Sequence, residues 1–129
     1  MLIHTIDDAA VRGIEYHEAA AITPKIGMLL KNVNGKLTTA SGTDKPTYLC
    51  LCEREVSLSA GEVIPVHRLD SAFVLEDETE LDLSEIPTGS KLTIGEDGTH
   101  LAIATGGAIE LVYKEEKPQG GYIARIRIS

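Results

Sequence analysis

The closing stretch Tyr122-Ile123-Ala124-Arg125-Ile126-Arg127-Ile128 decides the fold. From Ala124 onward apolar residues and arginines alternate strictly. Successive side chains of an extended strand point to opposite faces, so this pattern buries Ala124, Ile126 and Ile128 and leaves Arg125 and Arg127 on the other face. That is the pattern of an antiparallel sheet with one covered face. Working back along the chain, short apolar segments recur between turn residues at the roughly 8- to 12-residue spacing of all-β sandwiches and barrels. Strands are expected over residues 26–31 and 36–39, joined by Asn32-Val33-Asn34-Gly35, whose Asn-Gly supplies the positive φ angles of a tight hairpin. Further strands are expected over 47–56, over 63–68 after the Ala60-Gly61 turn, and over 73–76. The last four are 91–94 and 101–104 across Glu96-Asp97-Gly98, then 108–114 after Gly106-Gly107, and 122–128. The acidic cluster Glu76-Asp77-Glu78 with Glu80, Asp82 and Glu85 reads as a solvated loop, because like charges at that density repel.

Residues 1–21 have neither a period of 2 nor one of 3.6. They read as an irregular N-terminal arm with at most one helical turn, ahead of a single all-β barrel or sandwich domain over residues 22–129. A segment of this kind either orders on a partner, in which case the domain folds without it, or supplies a strand that completes the sheet.

Composition narrows the classes of function. With 129 residues, 43% apolar and 25% charged, the chain is long enough for one domain that needs no staple. No apolar run approaches the roughly 20 residues of a membrane-spanning helix, so a membrane is not an expected partner. The net charge of −8 argues against binding a phosphate backbone, and nucleic acid is not an expected partner either. The first residues lack a basic, then apolar leader, and two cysteines in such a chain fit a reducing compartment. With no Trp and one Phe, few aromatic platforms exist for stacking bases or sugars, which counts against a carbohydrate-binding module displayed on a surface.

Each chemistry-bearing residue has a plainer reading beside its functional one. Cys50 and Cys52 lie two apart on an expected strand, so both thiols share a face, yet zinc wants about four ligands and no second pair exists. They read as buried, reduced, unmetallated cysteines, and a disulfide across two strand residues sits near the upper limit of bridgeable separation. Gly61 followed by His67 resembles the first half of a cupin metal motif, the basis of an alternative reading as a metal-dependent β-barrel enzyme. The second histidine of that motif would fall on Leu69, Glu76 breaks the carboxylate spacing, and His100 lies outside the second motif. Ser41-Gly42 and Ser90 are turn residues without a nucleophile elbow, and the Gly106-Gly107 and Gly120-Gly121 pairs precede strands rather than helices, so they cradle no phosphate. Arg125 and Arg127 with Lys114 and Lys117 form either a small basic strip or a solvated strand face. No catalytic, cofactor-binding or metal-ligating set is nominated.

Three passages carry a resemblance. They are Gly27 through Leu37 with Ala40-Ser41-Gly42-Thr43; Lys45-Pro46-Thr47-Tyr48-Leu49 followed by Ala60-Gly61-Glu62-Val63-Ile64-Pro65-Val66; and Ala108-Ile109-Glu110-Leu111-Val112 with the final strand. In order and spacing the chain resembles the small head-decoration, or capsid cement, proteins of tailed phages and prophages of Gram-positive gut bacteria. The likeness spans residues 24–128 and rests on turn and strand patterns; the acidic insert, the paired cysteines and the long final hairpin depart from it. It implies a compact β-barrel without catalytic residues or cofactor that binds the major capsid protein on the outside of an assembled shell. It also implies a symmetric oligomer, a trimer first, found in the host cytoplasm before assembly and on the virion afterwards.

Overall fold

The computed structural model describes residues 1–6, 13–71 and 73–129, with backbone alone for residues 2–6. Of residues 1–21, for which the sequence allows one helical turn, the described residues hold no helix, and residues 7–12 lie outside them. Eleven strands are present among them: β1 (Leu2–Ile6), β2 (Glu15–Glu18), β3 (Leu29–Val33), β4 (Lys36–Thr39), β5 (Tyr48–Cys50), β6 (Val63–Arg68), β7 (Phe73–Thr79), β8 (Lys91–Ile94), β9 (Leu101–Thr105), β10 (Ile109–Glu116) and β11 (Tyr122–Ile128). They form a six-stranded sheet in the order β1-β7-β11-β10-β8-β9 and a five-stranded sheet in the order β2-β6-β5-β3-β4. All pairings between these strands are antiparallel. The fold is all-β, as expected, but it is not a closed barrel. β1 and β9 end one sheet, β2 and β4 end the other, and an antiparallel bridge between Gly42 and Ile94 links the two.

The core shows why. β11 runs down the middle of its sheet with Tyr122, Ala124, Ile126 and Ile128 buried, the phase its alternation dictates. These residues pack with Phe73, Leu75, Leu92, Ile109 and Leu111 of the same sheet, with Leu29 and Leu49 of the other, and with Leu69 just after β6. A second cluster, Met28, Leu30, Tyr48, Cys50, Leu58, Ile64 and Val66, covers the opposite face of the five-stranded sheet. Leu29 and Leu30 therefore serve different cores, and β5 is buried at every position. A strand covered on both faces shows no alternation.

Four expectations are corrected. First, residues 1–21 are not wholly an arm, because β1 pairs with β7 and β2 with β6. Met1 is buried too, its ammonium donating to the carbonyls of Gly27 and Thr99 at 3.0 Å each. Second, the start of the acidic cluster is not loop, since β7 runs on to Thr79 with Asp77 and Thr79 facing inward after Phe73 and Leu75. Opposite charge across the ladder makes this tolerable: Glu76 faces Arg125, with Nε to Oε1 at 3.4 Å. Third, the long strand over 47–56 ends at Cys50, and Glu53, Arg54 and Glu55 go to solvent. Fourth, the strand expected from residue 26 starts at Leu29, because Gly27 adopts φ 86° and the Met28 N–H closes a turn onto the Lys25 carbonyl. The Asn34-Gly35 turn stands as read, with φ of 53° and 85°.

Candidate functional site

Of the three passages that carry the resemblance, residues 108–112 with the final strand lie on β10 and β11 of the six-stranded sheet. The other two lie on the five-stranded sheet, where residues 27–37 make the β3–β4 hairpin, residues 45–49 lead into β5 and residues 60–66 lead into β6. Register sorts the side chains of this sheet into two faces. On one, Leu29 stands opposite Leu49 and Leu49 opposite His67, and this face packs on the six-stranded sheet. Towards the β2 edge the same face is uncovered, because Tyr16 pairs with Pro65 and Glu18 with Val63, leaving Tyr16 66% and Val63 55% exposed. Of the eight exposed large apolar side chains among the described residues, Ile14, Tyr16, Ile26, Val33, Val56 and Val63 belong to this sheet or its connections. Exposed Tyr16 and Val63 on paired strands are what a docking face looks like before it is covered.

The other face of the β2 edge holds a polar cluster. Glu15 accepts from Arg68 twice, Nε to Oε2 at 2.9 Å and Nη2 to Oε1 at 3.0 Å, and its Oε1 lies 2.8 Å from His17 Nε2. Both partner rings and charges bear on Tyr48: the His17 ring centroid is 4.9 Å away and the Arg68 guanidinium carbon sits 5.3 Å over it. The bidentate Arg68 contact, then His17, pull the Glu15 carboxyl down from its ordinary 4.5 to about 2. This cluster fastens β2 to β6 and β5. Nothing in the sequence announces it, since Glu15 and Arg68 are 53 positions apart.

The six-stranded sheet carries a second polar arrangement. Asp77, 2% exposed, accepts from His100 Nδ1 at 2.8 Å through one oxygen and from the Leu101 N–H at 2.9 Å through the other. A buried carboxylate that takes the Nδ1 proton fixes the imidazole and leaves Nε2 for another partner. His100 lines an open groove of about 410 Å³ with Glu78, Thr79, Glu80, Leu81 and Leu101, and a smaller one of about 220 Å³ with Met1, Glu76, Asp77 and Glu78. The phase of β7 signals that Asp77 is on the buried face, but nothing in the sequence pairs it with His100, 23 positions away.

The residues singled out in the sequence are placed as follows. His67 is on β6 and His100 precedes β9 in the other sheet. Among the described residues no three His, Cys, Asp or Glu side chains gather to hold a metal ion. His67 Nδ1 is buried with no partner among the described residues. Cys50 and Cys52 do lie on one side of the chain, their Sγ atoms 3.9 Å apart. Ser90 Oγ donates to the Pro87 carbonyl at 2.6 Å and the Ser41 N–H donates to Asp44, so both serve turns. The basic strip is dispersed. Arg125 stacks over Tyr113 at 4.5 Å and pairs with Glu76, while Lys114 Nζ donates to the carbonyls of Leu83, Ser84 and Ile86 and pins that loop. Comparison of the chain with known protein families, curated proteins and solved structures finds no match.

Proposed function

We propose that this chain is a non-enzymatic structural protein of a tailed-phage or prophage virion that binds the outside of the assembled capsid and stabilises the shell. The observation that carries the reading is the uncovered strip of Tyr16 and Val63 on directly paired strands of the five-stranded sheet. Two of the three sequence passages that resemble capsid cement proteins build that same sheet. A net charge of −8 favours solubility of the free protein, while a repeating shell of major capsid protein offers many copies of a weak complementary site at once. An oligomer, a trimer first, multiplies those contacts. The protein then resides in the host cytoplasm before assembly and on the virion surface after it.

The test is co-sedimentation with purified expanded shells of the cognate phage and, separately, with unassembled capsid subunits. Full-length protein is expected to sediment with shells and hardly to bind subunits. The double variant Tyr16→Ser, Val63→Ser, checked for folding by circular dichroism, is expected to bind shells about tenfold or more weakly, the loss usual for a truncated central interface residue. Full-length protein that never sediments with shells sinks the reading.

A further inference from the structure

We propose that Cys50 and Cys52 form a reversible dithiol–disulfide site that clasps the root of the β5–β6 connection. The geometry differs from that of a plain strand, in which such a bridge would be at the limit of reach. The chain leaves the ladder after Cys50: the Cys50 N–H and carbonyl still bond Met28 and Gly27, and the Leu51 N–H reaches Pro65, but Cys52 lies outside the strand. Its carbonyl turns back to accept from the Cys50 thiol at 3.3 Å, which brings the two sulfurs to 3.9 Å. A disulfide would shorten that separation to about 2 Å. Cys52 already packs against the cluster that contains Cys50, so closure costs little packing.

The two thiols differ in accessibility, which assigns their order of reaction. Cys50 is buried and Cys52 half-buried. Burial pushes the Cys50 thiol up to about 11, so it is not the first nucleophile. With a small-molecule disulfide as oxidant, the Cys52 thiol gives up its proton and its sulfur attacks one sulfur of the oxidant. A mixed disulfide forms, the oxidant's S–S bond breaks, and the departing thiolate takes the proton. Cys50 sulfur then attacks Cys52 sulfur, its proton passing to the second departing thiolate. Two cysteines lose two electrons in all, and one disulfide becomes two thiols. A small thiol reverses the sequence, which a bridge spanning only two residues favours by its strain. The bond would tie the start of the loop that displays Val56, 72% exposed, to the edge of the second core.

The chain has two cysteines, so every thiol reading reports this pair. Reduced, folded protein is incubated with oxidised glutathione, alkylated and weighed intact. Wild type is expected to lose both alkylatable thiols together, to drop by two hydrogens, to carry no glutathione and to recover both thiols in dithiothreitol. Cys50→Ala, with Cys50→Ser as a second variant should the first fold poorly by circular dichroism, is expected to accumulate one glutathione on Cys52. Cys52→Ala is expected to stay unreacted under the same conditions. Wild type that keeps both thiols, retains a stable glutathione adduct, or forms only disulfide-linked dimers overturns the proposal.

Discussion

Glu15 shows how one side chain fastens an edge. Its carboxylate meets the Arg68 fork and His17, and its folded pKa of about 2 lies below the ordinary 4.5. A depressed carboxyl contributes stability that is fully present above the unfolded value and is lost as pH falls through the folded one. The window is therefore about 4.5 down to about 2. Arg68 is half in solvent, so the contribution is that of a good surface pair, about 1 kcal/mol or less. Glu15→Gln is expected to melt slightly lower at neutral pH and to lose less stability than wild type on acidification into that window, as read by thermal melts at a series of pH values. Parallel melting curves for the two proteins across it would refute the assignment. Residue-scale features of this kind were illegible in the sequence because their partners are distant: Arg68 for Glu15, His100 for Asp77. Gly107 illustrates the same limit. The glycine pair was readable as a break, but a Cβ at Gly107 would collide with the Leu92 backbone, and that close approach only the assembled sheet creates.

At the scale of elements, β11 carries the six-stranded sheet. Ile126 is fully buried and stands between Leu75 of β7 and Leu111 of β10. Ile126→Asp places an uncompensated charge there, at a cost of about 3–5 kcal/mol against a total stability of about 5–15 kcal/mol. Far-UV circular dichroism is expected to show a melting temperature lowered by well over ten degrees or a chain already unfolded at room temperature, roughly 4–8 °C per kcal/mol for a domain near this size. A variant melting within a few degrees of wild type would mean that the register is wrong. Alternation made β11 and β8 legible to the residue, and the Ala60-Gly61 turn did the same for β6. β7 was read too short because charge density was taken as solvation, when the alternation continued through Asp77 and the outward Glu76 met Arg125 across the ladder. β5 was read too long because a strand covered on both faces has no phase to mark where it stops. The uncovered strip of Tyr16 and Val63 was equally hidden, since it depends on which strand pairs with β6.

For the whole molecule, the question is what residues 1–21 do. Lacking a period, they read as separable, yet in the structure they supply an edge strand to each sheet. Periodicity fails for short edge strands because one side of each meets no neighbour and only a few residues need to match. Their removal would strip the β1–β7 and β2–β6 ladders, expose the faces that Met1 and Ala19 seal, and leave Arg68 without Glu15. Met1 belongs to the main core, its buried ammonium bonded to Gly27 and Thr99. New open edges are also templates for pairing with other chains. Deleting residues 1–21 is therefore expected to lower the melting temperature by more than ten degrees or to yield aggregated protein, with size-exclusion chromatography and thermal circular dichroism as the readouts. A truncated protein that stays monodisperse and melts within a few degrees of full length would show these residues to be an accessory segment after all. Its shell binding would then report on gripping alone; if it unfolds as expected, the Tyr16 and Val63 substitutions are the probe of the docking face, because they change the surface and leave both ladders in place.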